Sequence, residues 1–182
     1  ATLRCQPKTV LDIGCGEGWL VRELVAKGID CLGVDTVPEF IAYASKREGR
    51  FKILSYEELT PESLGEQFDA LVCNFSLFGK NSVETLFDQA SKMVTKRGAM
   101  IVQTLHPDSL IDQDFLVEGW RESSWVGFNK HFIDPPPWYY RTIESWRALF
   151  SGAGFSQVET IVPVNPKSKI PASIIFIGRM DD

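Results

Sequence analysis

The sequence predicts an α/β fold: a Rossmann-like, mostly parallel seven-stranded sheet flanked by helices and completed by a terminal antiparallel β-hairpin. Three observations carry this. Short β-branched runs alternate with helix-period stretches from residue 9 onward, the pattern of a parallel sheet with right-handed crossovers. A glycine-rich turn, Gly14-Cys15-Gly16-Glu17-Gly18, follows the first run, and the acidic Asp35 closes the second. The last two apolar runs are separated only by residues 163–171, which begin and end in proline and fall short of the dozen residues a parallel crossover needs. The final strand is therefore expected to lie antiparallel beside its predecessor.

Residues 9–13 (TVLDI) read as the first strand, and residues 18–27 as a helix in which Leu20, Leu24 and Val25 recur at helical spacing until Gly28 stops it. Residues 30–34 (DCLGV) form the second strand. Pro38 opens a helix over 38–46, at the first turn where its missing N–H costs nothing. Residues 51–54 are the third strand, and 56–67, interrupted by Pro61 and Gly65, hold only short helical turns. Residues 68–74 (FDALVCN) are the fourth strand. Val83, Leu86, Phe87, Ala90 and Val94 then share one helical face over 83–94, Gly98 ends that element, and 99–105 (AMIVQTL) is the fifth strand. An insertion over 106–142, rich in Trp, Tyr, Phe and Pro, shows no sustained period. A helix over 143–150 and strands over 155–162 and 172–177 complete the chain.

With 182 residues the chain has the size of one domain, so 1–182 is read as a single unit. Its hydrophobic (44%) and charged (24%) fractions are those of a globular chain with a core of its own. A net charge of -5 and a pI near 5.1 disfavour a nucleic-acid partner, which needs clustered Lys and Arg. No apolar run approaches the ~20 residues of a membrane span and no signal segment opens the chain, so a cytoplasmic protein without a membrane partner is expected. The four cysteines lack any C-x-x-C pair and there are two histidines, which indicates neither disulfides nor a metal site.

The chemistry gathers at the first turn. Glycines there let a ligand approach main-chain N–H groups at a helix N-terminus, and Asp35, about twenty residues on, stands where a carboxylate accepts both hydroxyls of a ribose. These features specify a nucleoside ligand. A dinucleotide fingerprint wants its third glycine at position 19, which holds Trp19; the glycine is Gly18 instead. Asp12, two residues before Gly14, opposes a pyrophosphate but suits an ammonium group. A cofactor of ribose, adenine and an amino acid fits better than a dinucleotide.

On these residues the sequence resembles the class I S-adenosylmethionine-dependent methyltransferases, whose first motif is an acidic residue followed by G-x-G-x-G and whose second is an acidic residue ending strand two. The likeness runs over essentially the whole chain, nearest to small bacterial methyltransferase-domain proteins, and implies the strand order 3-2-1-4-5-7-6. It implies S-adenosylmethionine as cofactor, with Gly14 and Gly16 admitting its methionine part and Asp12 holding the amino end. Cys15 lies in the same cofactor-binding turn, its side chain read as a small buried apolar group rather than a nucleophile. Asp35 would bind the ribose hydroxyls and Thr36 would line the adenine. Ser55 and Tyr56 stand where relatives often carry an acidic residue facing the adenine amino group, and Asn74, Phe75 and Ser76 would floor the space between cofactor and acceptor. Relatives usually carry helical residues ahead of the first strand. Eight residues precede Thr9 here, which leaves open whether the protein carries such a segment to fold over the cofactor.

The implied reaction is direct methyl transfer to an O, N or C nucleophile of a small-molecule acceptor. Trp120, Trp125, Phe128, Phe132, Trp138, Tyr139 and Tyr140 crowd the 106–142 insertion, which is read either as a substrate lid that excludes water or as a segment packing on itself. The candidate catalytic residues are His106, as general base or plain turn residue, Tyr139, and Arg141, which either orients an acidic acceptor or anchors the lid. His131 is a weaker candidate. Asp134-Pro135-Pro136-Pro137-Trp138 looks like the D-P-P-Y motif of enzymes that methylate nucleic-acid bases, but that motif follows strand four, and strand four here leads into Asn74-Phe75-Ser76-Leu77. Two other classes share such a sheet: a nicotinamide-dependent reductase and a non-catalytic S-adenosylmethionine-binding protein.

Overall fold

The computed structural model describes residues 1–106, 117–123, 136–164, 166–167, 171 and 173–181. Among these, a 3-10 turn (Thr2–Cys5) leads into β1 (Thr9–Ile13), α1 (Trp19–Val25), β2 (Asp30–Asp35), α2 (Pro38–Ala44), β3 (Arg50–Ile53), α3 (Pro61–Leu64), β4 (Phe68–Asn74), α4 (Asn81–Met93) and β5 (Val94–Leu105). The chain continues through β6 (Gly119–Arg121), β7 (Trp138–Tyr140), α5 (Ile143–Gly152), β8 (Phe155–Ile161) and β9 (Ser173–Met180).

Seven strands form the main sheet in the order β3-β2-β1-β4-β5-β9-β8. This is the predicted topology, with β9 and β8 as the seventh and sixth strands of the sequence reading. β1 pairs in parallel with β2 and β4, while β9 runs antiparallel to both β5 and β8. The short proline-bounded link admits no crossover helix, and Val164 bridges Pro171 across it. Both faces of the sheet are covered. Leu11, Ile13, Leu71 and Phe176 pack against Leu86 and Phe87 of α4 and Trp146 and Phe150 of α5 on one side. Val10, Cys31, Val72 and Ile101 pack with Val21 and Leu24 of α1 and Ile41 of α2 on the other.

Three local departures from the sequence reading have physical causes. α1 begins after Gly18, its N-cap in a left-handed conformation (φ +76), and buries Val21 and Leu24 while Leu20 and Val25 lie at the margin of the core. A Cβ on Gly18 would sit 2.6 Å from the Phe51 ring, so packing as well as backbone angle requires glycine there. β5 begins at Val94, directly after α4, and not at Ala99. Val94 pairs with Phe68, the register then shifts, and Ala99 pairs with Ala70. Asp69 stabilises the irregularity, one oxygen accepting the Thr95 hydroxyl at 3.0 Å and the other the N–H groups of Lys8 and Thr9. Lastly, the aromatic insertion contains a two-stranded ribbon, in which Gly119, Trp120 and Arg121 pair with Tyr140, Tyr139 and Trp138.

Candidate functional site

The carboxyl ends of β1, β2, β3 and β4 open onto one cleft of about 670 Å³, the edge at which open α/β sheets hold ligands. Gly14 and Gly16 reach it from the turn after β1. Asp35, Thr36 and Val37 come from the end of β2, with Phe40 one turn into α2. Leu54, Ser55, Tyr56 and Glu57 follow β3, and Phe75, Ser76 and Phe78 follow β4; Pro136 approaches from the segment that enters β7.

The turn after β1 is tied back to β2, the N–H groups of Gly14 and Cys15 both donating to the Val34 carbonyl at 2.8 and 3.0 Å. A Cβ on Gly14 would lie 2.3 Å from Ser76 Cβ, so glycine is what lets the loops after β1 and β4 close together. Around Gly16 the opposite holds. Its φ is +52 and no heavy atom lies within 4 Å of where a Cβ would project, which leaves an open cradle. The Gly16 N–H donates to Asp35 Oδ2 at 2.9 Å and the Val37 N–H to Asp35 Oδ1 at 2.9 Å. Each carboxylate oxygen is thereby fixed by one backbone donor and retains acceptor capacity toward the cleft.

Of the remaining residues singled out in the sequence, Asp12 and Cys15 lie buried behind the turn rather than on the cleft wall. No hydrogen bond reaches the Asp12 carboxyl among the described residues. Burial, and then the nearby charge of Asp35, push its pKa up to about 7. Asn74 faces a smaller cavity of about 120 Å³ with Trp19, Leu20 and Gln103. His106 is buried at the end of β5 and is not among the cleft-lining side chains.

Tyr139 belongs to the ribbon, and Arg141 directly follows it. The Tyr139 N–H donates to the Phe78 carbonyl at 2.7 Å, joining β7 to the loop that lines the cleft. Arg141 is buried and donates from Nη1 to the Gly79 carbonyl at 2.7 Å and from Nη2 to the Lys80 carbonyl at 2.9 Å, with Glu84 at 3.7 Å. Trp125, Phe128, His131, Phe132, Asp134 and Pro135 lie outside the described residues. Sequence reasoning missed Val37, Leu54, Glu57 and Phe78. Their only signal is position, within four residues of the ends of strands that point at the cleft.

A family model described as a methyltransferase domain matches residues 2–160. The chain belongs to this family. It is a class I S-adenosylmethionine-dependent methyltransferase domain, and S-adenosylmethionine is the methyl donor of that class. The chain is 35% identical over 101 residues to the ubiquinone biosynthesis O-methyltransferase of Azorhizobium caulinodans, covering 53% of this chain and 40% of that protein. To the malonyl-[acyl-carrier protein] O-methyltransferase of Legionella pneumophila it is 23% identical over 138 residues, 72% of this chain and 47% of the relative. It thus spans less than half the length of these two relatives. Among solved structures it superposes on an S-adenosylmethionine-dependent methyltransferase from Mesorhizobium loti with a TM-score of 0.75 at 19% identity, covering 94% of this chain and 90% of the other. It also matches the magnesium protoporphyrin IX methyltransferase of Synechocystis with bound SAH (TM-score 0.66, 17% identity, 94% and 73% covered).

The residues present fit this cofactor. Asp35 keeps free acceptor positions for two hydroxyls, and the space over Gly16 is open. Among the described residues no cluster of His, Cys, Asp and Glu is arranged to hold a metal, and no helix is long and apolar enough to cross a membrane.

Proposed function

We propose that this methyltransferase transfers a methyl group from S-adenosylmethionine to a small-molecule acceptor held in the 670 Å³ cleft under the 106–142 insertion. The observation that carries the proposal is Asp35, oriented at the floor of the cleft by the N–H groups of Gly16 and Val37. Both curated relatives described above are named O-methyltransferases, which favours an oxygen nucleophile over nitrogen or carbon.

Bound S-adenosylmethionine supplies an electrophilic methyl group on a sulfonium. The chain's own part is orientation and the exclusion of water. Asp35 accepts ribose hydroxyls, Thr36 and Val37 line the nucleoside, and Glu57 is placed to accept from an amino group. The turn at Gly14 and Gly16 admits the amino-acid part, with Asp12 behind it as counter-charge. Phe40, Phe75, Phe78 and Pro136 present apolar surface to the acceptor. In this reading the insertion is a lid and Arg141 is its anchor, since its guanidinium is already engaged by the Gly79 and Lys80 carbonyls.

The test is calorimetry with S-adenosylhomocysteine and NADPH, followed by methyl transfer from labelled S-adenosylmethionine to a panel of phenols, catechols and carboxylic acids. Asp35→Ala is expected to weaken S-adenosylhomocysteine by about 1–3 kcal/mol, since it leaves buried hydroxyls unpaired. Unchanged affinity in that variant, or binding of NADPH in place of the adenosyl ligand, overturns the proposal.

A further inference from the structure

Two hydrogen bonds beneath the cleft join three loops that are far apart in sequence. The Tyr56 hydroxyl donates to the Ser76 carbonyl at 2.7 Å, and the Ser76 hydroxyl donates to the Ile13 carbonyl at 2.7 Å. Ser76 has no room to retreat toward the turn after β1, because it already occupies the space a Gly14 side chain would take. On its other side stands Phe75, with φ +52. That is the left-handed region, which a bulky L-residue adopts only where its surroundings impose it.

Both flanks of Phe75 are pinned. Its own N–H donates to the Gln103 carbonyl at 2.9 Å, and the next residue is held at its carbonyl and its hydroxyl by the two bonds just described. Among the described residues three other non-glycine positions have positive φ: Gln6, Arg97 and Gln157. Gln6 ends the opening 3-10 turn, Arg97 lies in the irregular start of β5, and Gln157 lies at the register shift of β8. Phe75 alone of the four lines the cleft, and the residue is 39% exposed.

The geometry points to a positioning role for Tyr56 and Ser76: their hydrogen-bond chain to Ile13 holds Phe75 in the strained conformation that keeps its ring in the cleft. Ligand affinity is then gained at the expense of the stability of the free protein. The strain sits in the backbone of Phe75, while its cause lies in two residues that act through it. This inference rests on the cleft being the adenosyl site, and its test separates the two readings.

Thermal melting of the free chain with glycine or alanine at position 75 reports the strain, since both substitutions remove the ring. At an ordinary position the alanine variant melts higher. Here Phe75→Gly is expected to melt roughly 2–4 °C above Phe75→Ala, the shift that ~1 kcal/mol of relief gives in a chain of this size. Calorimetry with S-adenosylhomocysteine reports the positioning. Tyr56→Phe is expected to weaken binding at least fivefold in the parent and to have no effect in the Phe75→Gly background; Ser76→Ala is expected to repeat that pattern and serves if Tyr56→Phe does not fold.

An alanine variant that melts as high as the glycine variant or higher overturns the inference, and so does an equal loss of affinity in both backgrounds, which would mean that Tyr56 acts on the ligand directly. Unchanged affinity of Tyr56→Phe in the parent overturns it as well. A parent that does not bind S-adenosylhomocysteine sinks the cofactor reading, whereas the order of the two melting temperatures still tests the strain.

Discussion

Asp12 is a carboxyl 2% exposed, beside Asp35 and without a hydrogen-bond donor among the described residues. Its pKa, raised from 3.8 to about 7 chiefly by burial, means that the folded chain keeps a proton over an interval in which the unfolded chain has lost it. The stability contributed by this group is complete below about pH 4, falls as the pH climbs toward 7, and stays lost above that. Asp12→Asn is therefore expected to match the parent near pH 4 and to exceed it by a few kcal/mol at pH 8, each pKa unit being worth ~1.4 kcal/mol. Urea unfolding at the two pH values checks this, and an equal gap at both contradicts it. The same buried charge reaches the thiols around it. Cys15 is pushed up to about 12 by burial, then by Asp12 and Asp35, and Cys31 and Cys73 are pushed up for the same leading reason. Only Cys5 is partly exposed. A colorimetric thiol titration of the native chain is expected to show one rapid equivalent, abolished by Cys5→Ser, and three that appear only on unfolding.

At the scale of elements, the ribbon of β6 and β7 is joined to the loop between β4 and α4 by the Tyr139 N–H on the Phe78 carbonyl and by Arg141, the residue that follows β7. Its guanidinium serves the Gly79 and Lys80 carbonyls at the entry to α4 and stacks against Tyr139 and Trp146 at 4.8 and 5.4 Å. Arg141→Met leaves those carbonyls without their donors and is expected to lower stability by about 1–3 kcal/mol. Hydrogen exchange gives the sharper reading: the Tyr139 amide, bonded to Phe78, should lose protection while amides of β1 and β4 keep theirs. The ribbon is also where the sequence was least legible. The central strands announce themselves because burial on both faces demands runs such as Val10-Leu11 and Ala70-Leu71-Val72, and α4 does so because one face must be apolar. Three-residue strands like Gly119–Arg121 and Trp138–Tyr140 carry no period, and their pairing is decided by partners about twenty residues away. The start of β5 was hidden for a related reason, since Thr95-Lys96-Arg97-Gly98 reads as a turn and is drawn into the strand by Asp69, a residue of β4. In the cleft, Asp35 and the glycines were legible because backbone geometry restricts residue choice there. Glu57 and Phe78 were not, because nothing in a loop sequence fixes which way a side chain faces.

The whole molecule is a sheet with a core on each face, and the cleft opens beyond the carboxyl ends of its strands, with Leu54 and Tyr56 joining its wall to one core. It is assembled from loops that leave four different strands and meet at hydrogen bonds such as Gly16 to Asp35 and Tyr56 to Ser76. These contacts exist only when the entire β3-β2-β1-β4 portion of the sheet is in register, so the unfolded chain offers an adenosyl ligand no comparable site. A ligand that binds only the folded state stabilises it by RT ln(1 + [L]/Kd), about 2.7 kcal/mol at a hundredfold excess over Kd. In a chain of 182 residues each kcal/mol moves the melting temperature by roughly 2–4 °C. S-adenosylhomocysteine at that excess is thus expected to raise the melting temperature by roughly 5–11 °C, while NADH at the same concentration is expected to leave it in place, since the turn after β1 lacks the third glycine of a dinucleotide fingerprint. The shift should shrink in Asp35→Ala at fixed ligand concentration, since the variant loses binding energy at the same site. A shift with NADH and none with S-adenosylhomocysteine would assign the cleft to a dinucleotide, and an undiminished shift in Asp35→Ala would move the nucleoside away from the end of β2.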